Sequence, residues 1–185
     1  MTKKEFRTII RSLIKDREVA TIYPSSKSLI KKIFKCINFT KDILVIEYGA
    51  GTGSITKAFI KKLSRNSRLI AIEKNPNLFN FIRNIEDDRL ISINNDVRDI
   101  HKIHPLIKKE KADYIISGIP FSMLKPKERI SIIKEAKELL STNGKLILYQ
   151  FSPLMKKYLA KDFRKVRIRF EPINIPPMFI LEAHK

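Results

Sequence analysis

A chain of 185 residues with 43% apolar residues can bury one sizeable core, which favours a single domain, and no apolar run approaches the ~20 residues of a membrane span. Lys and Arg number 38 against 19 Asp and Glu, and the net charge of +19 points to anionic partners, either nucleic acid or lipid, unless lysine is simply the default surface residue. The single cysteine, Cys36, excludes an internal disulfide and a cysteine-based metal site, and the charge-threaded N-terminus lacks a signal core, so a cytosolic, metal-free protein is expected.

In chain order, Phe6, Ile9, Ile10, Leu13 and Ile14 form one stripe of a helix over 2–18, with Lys3, Lys4, Arg7, Arg11, Lys15 and Arg17 on its other faces. A break at Thr-Ile-Tyr-Pro-Ser-Ser precedes a helix over 27–37, which Ser25 or Ser26 can cap. Apolar runs at 43–49, 68–74, 89–95, 112–118 and 145–151 read as strands, and helical patterns at 54–64, 76–85 and 127–140 lie between them. Residues 104–110 read as a shorter helix opened by Pro105. Nearly continuous Ile, Leu and Val is the mark of strands buried on both faces, so five such units predict a doubly wound, mostly parallel sheet. The tail differs: extended runs at 164–171 and 178–183, joined by Pro-Ile-Asn-Ile-Pro-Pro, predict an antiparallel hairpin that completes seven strands.

Three of the five glycines, Gly49, Gly51 and Gly53, fall between the first strand and its helix, with Ala50 among them. A ligand binds at such a turn, where glycine leaves bare backbone to lie against. Glu47 ends that strand, and a carboxylate there opposes a phosphate and favours a cation. The Gly-Lys-Ser/Thr ending of a phosphate loop is also missing. Glu73 ends the second strand, where an acid can bond both ribose hydroxyls, and Asp96 follows the third, where adenine's amino group would lie. These three acids, with Lys74 and Val97 beside two of them, predict S-adenosylmethionine, whose ammonium and sulfonium suit Glu47. NAD is the rival, disfavoured by the glycine spacing and by Glu47.

The fourth strand ends Ser117-Gly118-Ile119-Pro120-Phe121. Together with Pro24-Ser25-Ser26, Glu47 to Gly53 and Asn174-Ile175-Pro176-Pro177, this order of motifs resembles the bacterial phospholipid N-methyltransferases, relatives of the rRNA adenine N6-dimethyltransferases. The likeness runs from about residue 19 to the end. It implies a Rossmann-like class I methyltransferase fold with helices on both faces of the sheet. It also implies S-adenosylmethionine as donor, S-adenosylhomocysteine as product and the amine of phosphatidylethanolamine as acceptor. Tyr23, Pro24, Ser25 and Ser117 join the implied cofactor set. The implied catalytic set is Ser117, Gly118, Ile119, Pro120, Phe121 and Tyr23. In it the Ser117 hydroxyl and the Gly118 or Ile119 carbonyl hold the amine, and Phe121 either meets the nascent cation with its π face or packs as a core aromatic. Tyr23 either covers the cofactor or staples the helix; Tyr149 has a weaker claim, and His101 and His104 read as surface residues.

Tyr48, Ala50 and Asn95-Asp96-Val97 depart from the family's usual residues while keeping the glycines and the acid. Ser117 stands where the rRNA enzymes have Asn, which argues against adenine N6 as substrate. A lipid substrate gives the basic helix at 2–18 a role in docking to the inner face of an anionic membrane, against the alternative that it packs on its own domain. An rRNA methyltransferase without its helical domain, an enzyme for another small amine and a non-catalytic binding module are the alternatives.

Overall fold

Successive residues of a strand point to opposite faces, so a strand apolar throughout must be covered on both sides. β1 (Leu44–Tyr48) is such a strand but for Glu47, and β2 (Arg68–Glu73) but for its two ends. Ile46, Tyr48, Ile70 and Ile72 enter one core, while Val45 and Leu69 enter a second on the opposite face. The computed structural model describes residues 25–99 and 110–185. The basic stripe at 2–18, Tyr23, Pro24, His101, His104 and nearly all of the short helix expected at 104–110 lie outside the described residues.

The remaining strands are β3 (Leu90–Asn94), β4 (Ala112–Ser117), β5 (Leu140–Gln150), β6 (Lys165–Glu171) and β7 (Met178–His184). They form one sheet in the order β3-β2-β1-β4-β5-β7-β6. The first five run parallel, and β7 runs antiparallel to both β5 and β6. This is the mostly parallel seven-stranded sheet expected, with its last strand inserted backwards before the edge.

Five helices cover it among the described residues: α1 (Lys27–Phe34), α2 (Ser54–Ile60), α3 (Pro76–Arg83), α4 (Pro126–Leu139) and α5 (Lys156–Asp162). Leu29 and Ile33 of α1 and Ile55 and Phe59 of α2 pack on one face. Ile132, Ile133 and Ala136 of α4 and Leu159 of α5 pack on the other. Ile82 of α3 meets Ala71 of β2.

Of the two serines expected to cap α1, Ser26 does so, its hydroxyl accepting from Leu29 N at 3.1 Å. The helices expected to reach 37 and 64 stop earlier, at Phe34 and Ile60. Cys36 N and Ile37 N donate to Ile33 O and Phe34 O, and Lys62 N to Phe59 O, so each helix end tightens into a turn. β5 begins five residues before the expected 145, because Leu140 already pairs with Ala112 before a register shift to Tyr114 and Lys145.

Candidate active site

The strand order reverses direction between β1 and β4, and an open α/β sheet binds ligands at that switch point, outside the carboxyl ends of its strands. The glycine turn leaves β1 there. Gly49, Gly51 and Gly53 have φ of 72°, 57° and 77°, a region that costs other residues strain. Gly49 is also short of space, since a Cβ there would stand 2.7 Å from Ile119 Cγ2. Gly49 N and Ala50 N both donate to Ile72 O of β2, which draws the turn over the sheet's edge. A cavity opens above it, walled by Ser25, Gly49, Gly51, Gly118, Pro120 and Tyr149.

Glu47 lies fully buried beside this cavity. Its Oε2 accepts from Thr56 Oγ1 of α2 at 2.7 Å, and its Oε1 has no partner among the described residues. Burial pushes its carboxyl up to about 8; the Thr56 bond opposes the rise and the neighbouring Glu73 charge adds to it. Burial thus favours its neutral form, and a cation placed beside it would favour the charged one. Glu73, nearly buried, accepts from Gly51 N at 2.9 Å on one oxygen and from Asn75 N at 2.8 Å on the other. It therefore ties the glycine turn to the start of α3, and each oxygen keeps a lone pair for a ligand hydroxyl.

Asp96 follows β3, where the sequence placed it. It is turned onto Arg98, which grips it through Nε at 3.1 Å and Nη2 at 2.7 Å. The guanidinium lies two residues along the chain, so the forked pair is a local one. Arg98's bonds hold the Asp96 carboxyl low; burial opposes this, and Lys74 adds to the lowering. Val97 packs in the core beneath, and Lys74 stays exposed.

At the end of β4, Ser117 is fully buried and its Oγ has no partner among the described residues. Around it the role expected of Ile119 needs correction, and of the two readings of Phe121 the packed one holds. The Ile119 carbonyl already accepts from Gln150 Nε2 at 2.9 Å and Phe121 N at 2.9 Å, which fills both lone pairs and leaves nothing for an amine. Phe121 is buried in the core with Tyr48 and Ile133, so its ring serves packing and not the cavity. Ser117 Oγ remains as an acceptor.

Tyr149, given little weight in the sequence, is the wall opposite. Any Cβ on Gly118 would overlap its ring and hydroxyl, so only glycine lets β4 pass it. Its phenol is pushed far up by burial, then by the Glu47 and Glu73 charges, and a bond to the Ser25 side chain opposes the rise. Ser25 is itself held in place from afar. Asn174, in the loop between β6 and β7, accepts from Ser26 N at 3.1 Å and donates to Pro176 O at 2.9 Å. Glu171, fully buried at the end of β6, accepts from Ser28 Oγ at 2.8 Å and pairs with Lys32 at 3.2 Å. The signal in the sequence was only positional: Tyr149 ends a strand at the ligand end of the sheet.

An unpartnered buried carboxylate oxygen, bare glycine backbone and an acid with spare lone pairs suit a ligand that brings hydroxyls and positive charge. At the switch point of a sheet whose last strand runs backwards, that ligand is S-adenosylmethionine, and the fold is that of the class I methyltransferases. Residues 39–173 match the family described as a methyltransferase domain, and the chain belongs to that family as an S-adenosylmethionine-dependent methyltransferase. It is 28% identical over 162 residues to the ornithine lipid N-methyltransferase of Singulisphaera acidiphila, spanning 86% of this chain and 84% of that protein. It is 26% identical over 118 residues to the ribosomal RNA small subunit methyltransferase A of Ureaplasma urealyticum, spanning 60% of this chain but 41% of that protein. A solved SAM-dependent methyltransferase from Archaeoglobus fulgidus shares the fold with a TM-score of 0.66 at 14% identity, over 86% of this chain and 95% of that one.

Proposed function

We propose that this enzyme methylates the amine nitrogen of a membrane lipid, with phosphatidylethanolamine as the first candidate and an ornithine lipid as the second. The observation that carries the reading is the end of β4, where Gly118 and Pro120 line the cavity and buried Ser117, their neighbour in the chain, keeps an unpartnered Oγ. An amine entering there would meet the Ser117 hydroxyl and the Gly118 carbonyl as acceptors. The relative in Singulisphaera, matched along most of both chains, supports a lipid amine. The bound cofactor supplies a methyl already activated on sulfur. The protein's task is alignment: Ser117 Oγ and Gly118 O hold the N–H groups so that the nitrogen lone pair faces the carbon–sulfur bond. Transfer of the methyl to that lone pair would leave the bonding electron pair on sulfur, and the methylated ammonium would then release its proton to water. Pro120 fixes the chain direction at this corner, and Tyr149 closes the wall behind it.

Ser117 also weighs against an adenine acceptor, because it lacks the amide that pairs with a base's amino group. Incubation with labelled S-adenosylmethionine and, separately, phosphatidylethanolamine vesicles, ornithine-lipid vesicles, stripped rRNA and soluble amines tests the reading. Label should enter a lipid extract, and Ser117→Ala should lower kcat more than it weakens cofactor binding. Label in rRNA or soluble amine alone would sink the lipid reading.

A further inference from the structure

We infer that the mouth of the cavity is a membrane-docking surface, with the 172–177 loop and Met123 entering the headgroup–acyl boundary of an anionic bilayer. This rests on the reading of the substrate as a lipid. The loop buries its polar residue and exposes its apolar ones. Asn174 is 6% exposed, whereas Ile173 and Ile175 on either side are 71% and 80% exposed. Met123, across the cavity, is 38% exposed, and it and Ile175 both line the opening. Met123 and Ile175, with Ile173 in the same loop, are thus gathered at one opening rather than scattered singly, which marks a surface for an apolar partner.

The inversion is built and held. Asn174 is fastened to Ser26 N and Pro176 O, and Glu171 accepts from Ile173 N at 2.8 Å besides its bonds to α1. Pro172, Pro176 and Pro177 restrict the backbone further. The two isoleucines are thus presented in advance, and docking need not order them.

Charge selects the partner. Lys27 opens α1, Lys74 leaves β2, Lys125 precedes α4, and Lys156 and Lys157 open α5; all are exposed, and all stand at the carboxyl end of the sheet with the cavity. At the same end, Glu47 and Glu73 are buried, and Asp96 and Glu128 are paired to Arg98. Cations at the same end of the sheet as an apolar rim suit an anionic bilayer: lysines at the phosphates, isoleucines just below them. A lipid headgroup can then reach Ser117 while its chains stay in the membrane.

The test is co-sedimentation of the full chain with phosphatidylglycerol–phosphatidylethanolamine vesicles at high salt, where the apolar contribution remains. Ile173→Asp, at a residue outside the cavity wall, should cut partition about tenfold and leave S-adenosylhomocysteine affinity unchanged. Ile175→Asp should cut partition similarly, and Ile173→Leu should retain it. Partition unaltered in both Asp variants would overturn the docking surface, even if lipid is methylated. A wild-type chain that ignores vesicles and retains an RNA oligomer would overturn it too. Partition lost in the Asp variants, with no lipid labelled by the wild type, would support the surface and sink the lipid-substrate reading instead.

Discussion

Glu73 and Glu47 are both carboxylates at strand ends, yet their surroundings set them different tasks. Glu73 holds the glycine turn through Gly51 N and the start of α3 through Asn75 N. On the reading that Glu73 holds the ribose, Glu73→Ala removes both acceptors and also loosens the glycine turn. Hydrogen bonds to a charged group contribute about 1.5–3 kcal/mol each, so calorimetry with S-adenosylhomocysteine should show at least a tenfold loss of affinity. Wild-type affinity in that variant would mean the cofactor lies elsewhere. Glu47, by contrast, is governed by desolvation, which raises its carboxyl from 4.5 to about 8 in the folded protein. A raised carboxyl favours the protonated fold, so its contribution to stability is present below the unfolded value near 4.5 and is lost as pH rises through about 8. A cationic cofactor reverses that preference and drives the proton off. Cofactor affinity should therefore climb between about pH 6 and pH 8 and then level, with proton release detectable by titration in buffers of different ionisation enthalpy. Glu47→Gln should flatten the profile; a slope that survives the substitution would assign the proton to another group.

The cavity wall is assembled from elements far apart in the chain, and that is where reading the sequence stops. Asn174 is 148 residues from Ser26, yet its bond sets the start of α1 and so the Ser25 contact on Tyr149. Asn174→Ala leaves a backbone N–H and a carbonyl without their partner, a cost of about 1–3 kcal/mol. For a domain of this size each kcal/mol lowers Tm by about 2–4 °C, and cofactor affinity should fall with it. An unchanged melting curve together with unchanged affinity would show the clamp to be idle. β1 to β4 were legible because each is a short apolar run followed by a turn signal or an acid, and the glycine turn because glycine is scarce elsewhere. The start of β5 was not, since Ser-Thr-Asn-Gly reads locally as a turn and becomes strand only through its pairing with β4. Nor was the wall made by Tyr149, which depends on the register that sets Leu148 beside Ser117. Spacing also cannot say which way the ring after Pro120 points, and packing against Tyr48 and Ile133 decides that Phe121 turns inward.

Over the whole molecule, the net charge of +19 and the apolar rim make separable contributions to any membrane affinity. Screening acts on the first alone: the Debye length shrinks from about 10 Å at 0.1 M salt to about 3 Å at 1 M. Binding of the full chain to anionic vesicles should fall steeply as salt rises and then reach a floor set by buried apolar surface. A complex with RNA would differ, because counterion release makes log K fall linearly with log salt, with a slope near −0.7 per phosphate contact on a single strand and no floor. The helix expected at 2–18 enters the same experiment. Residues 1–15 carry Lys3, Lys4, Arg7, Arg11 and Lys15, each expected to add about 1 kcal/mol near an anionic surface. Their deletion should lower the low-salt affinity strongly, lower the floor through the lost apolar stripe, and leave S-adenosylhomocysteine binding intact. Combined with Ile173→Asp, the deletion should abolish the floor, since the stripe and the rim would then both be gone. Equal partition of the full and shortened chains at low salt would remove the basic segment from docking. A shortened chain that unfolds would show instead that the stripe belongs to the core.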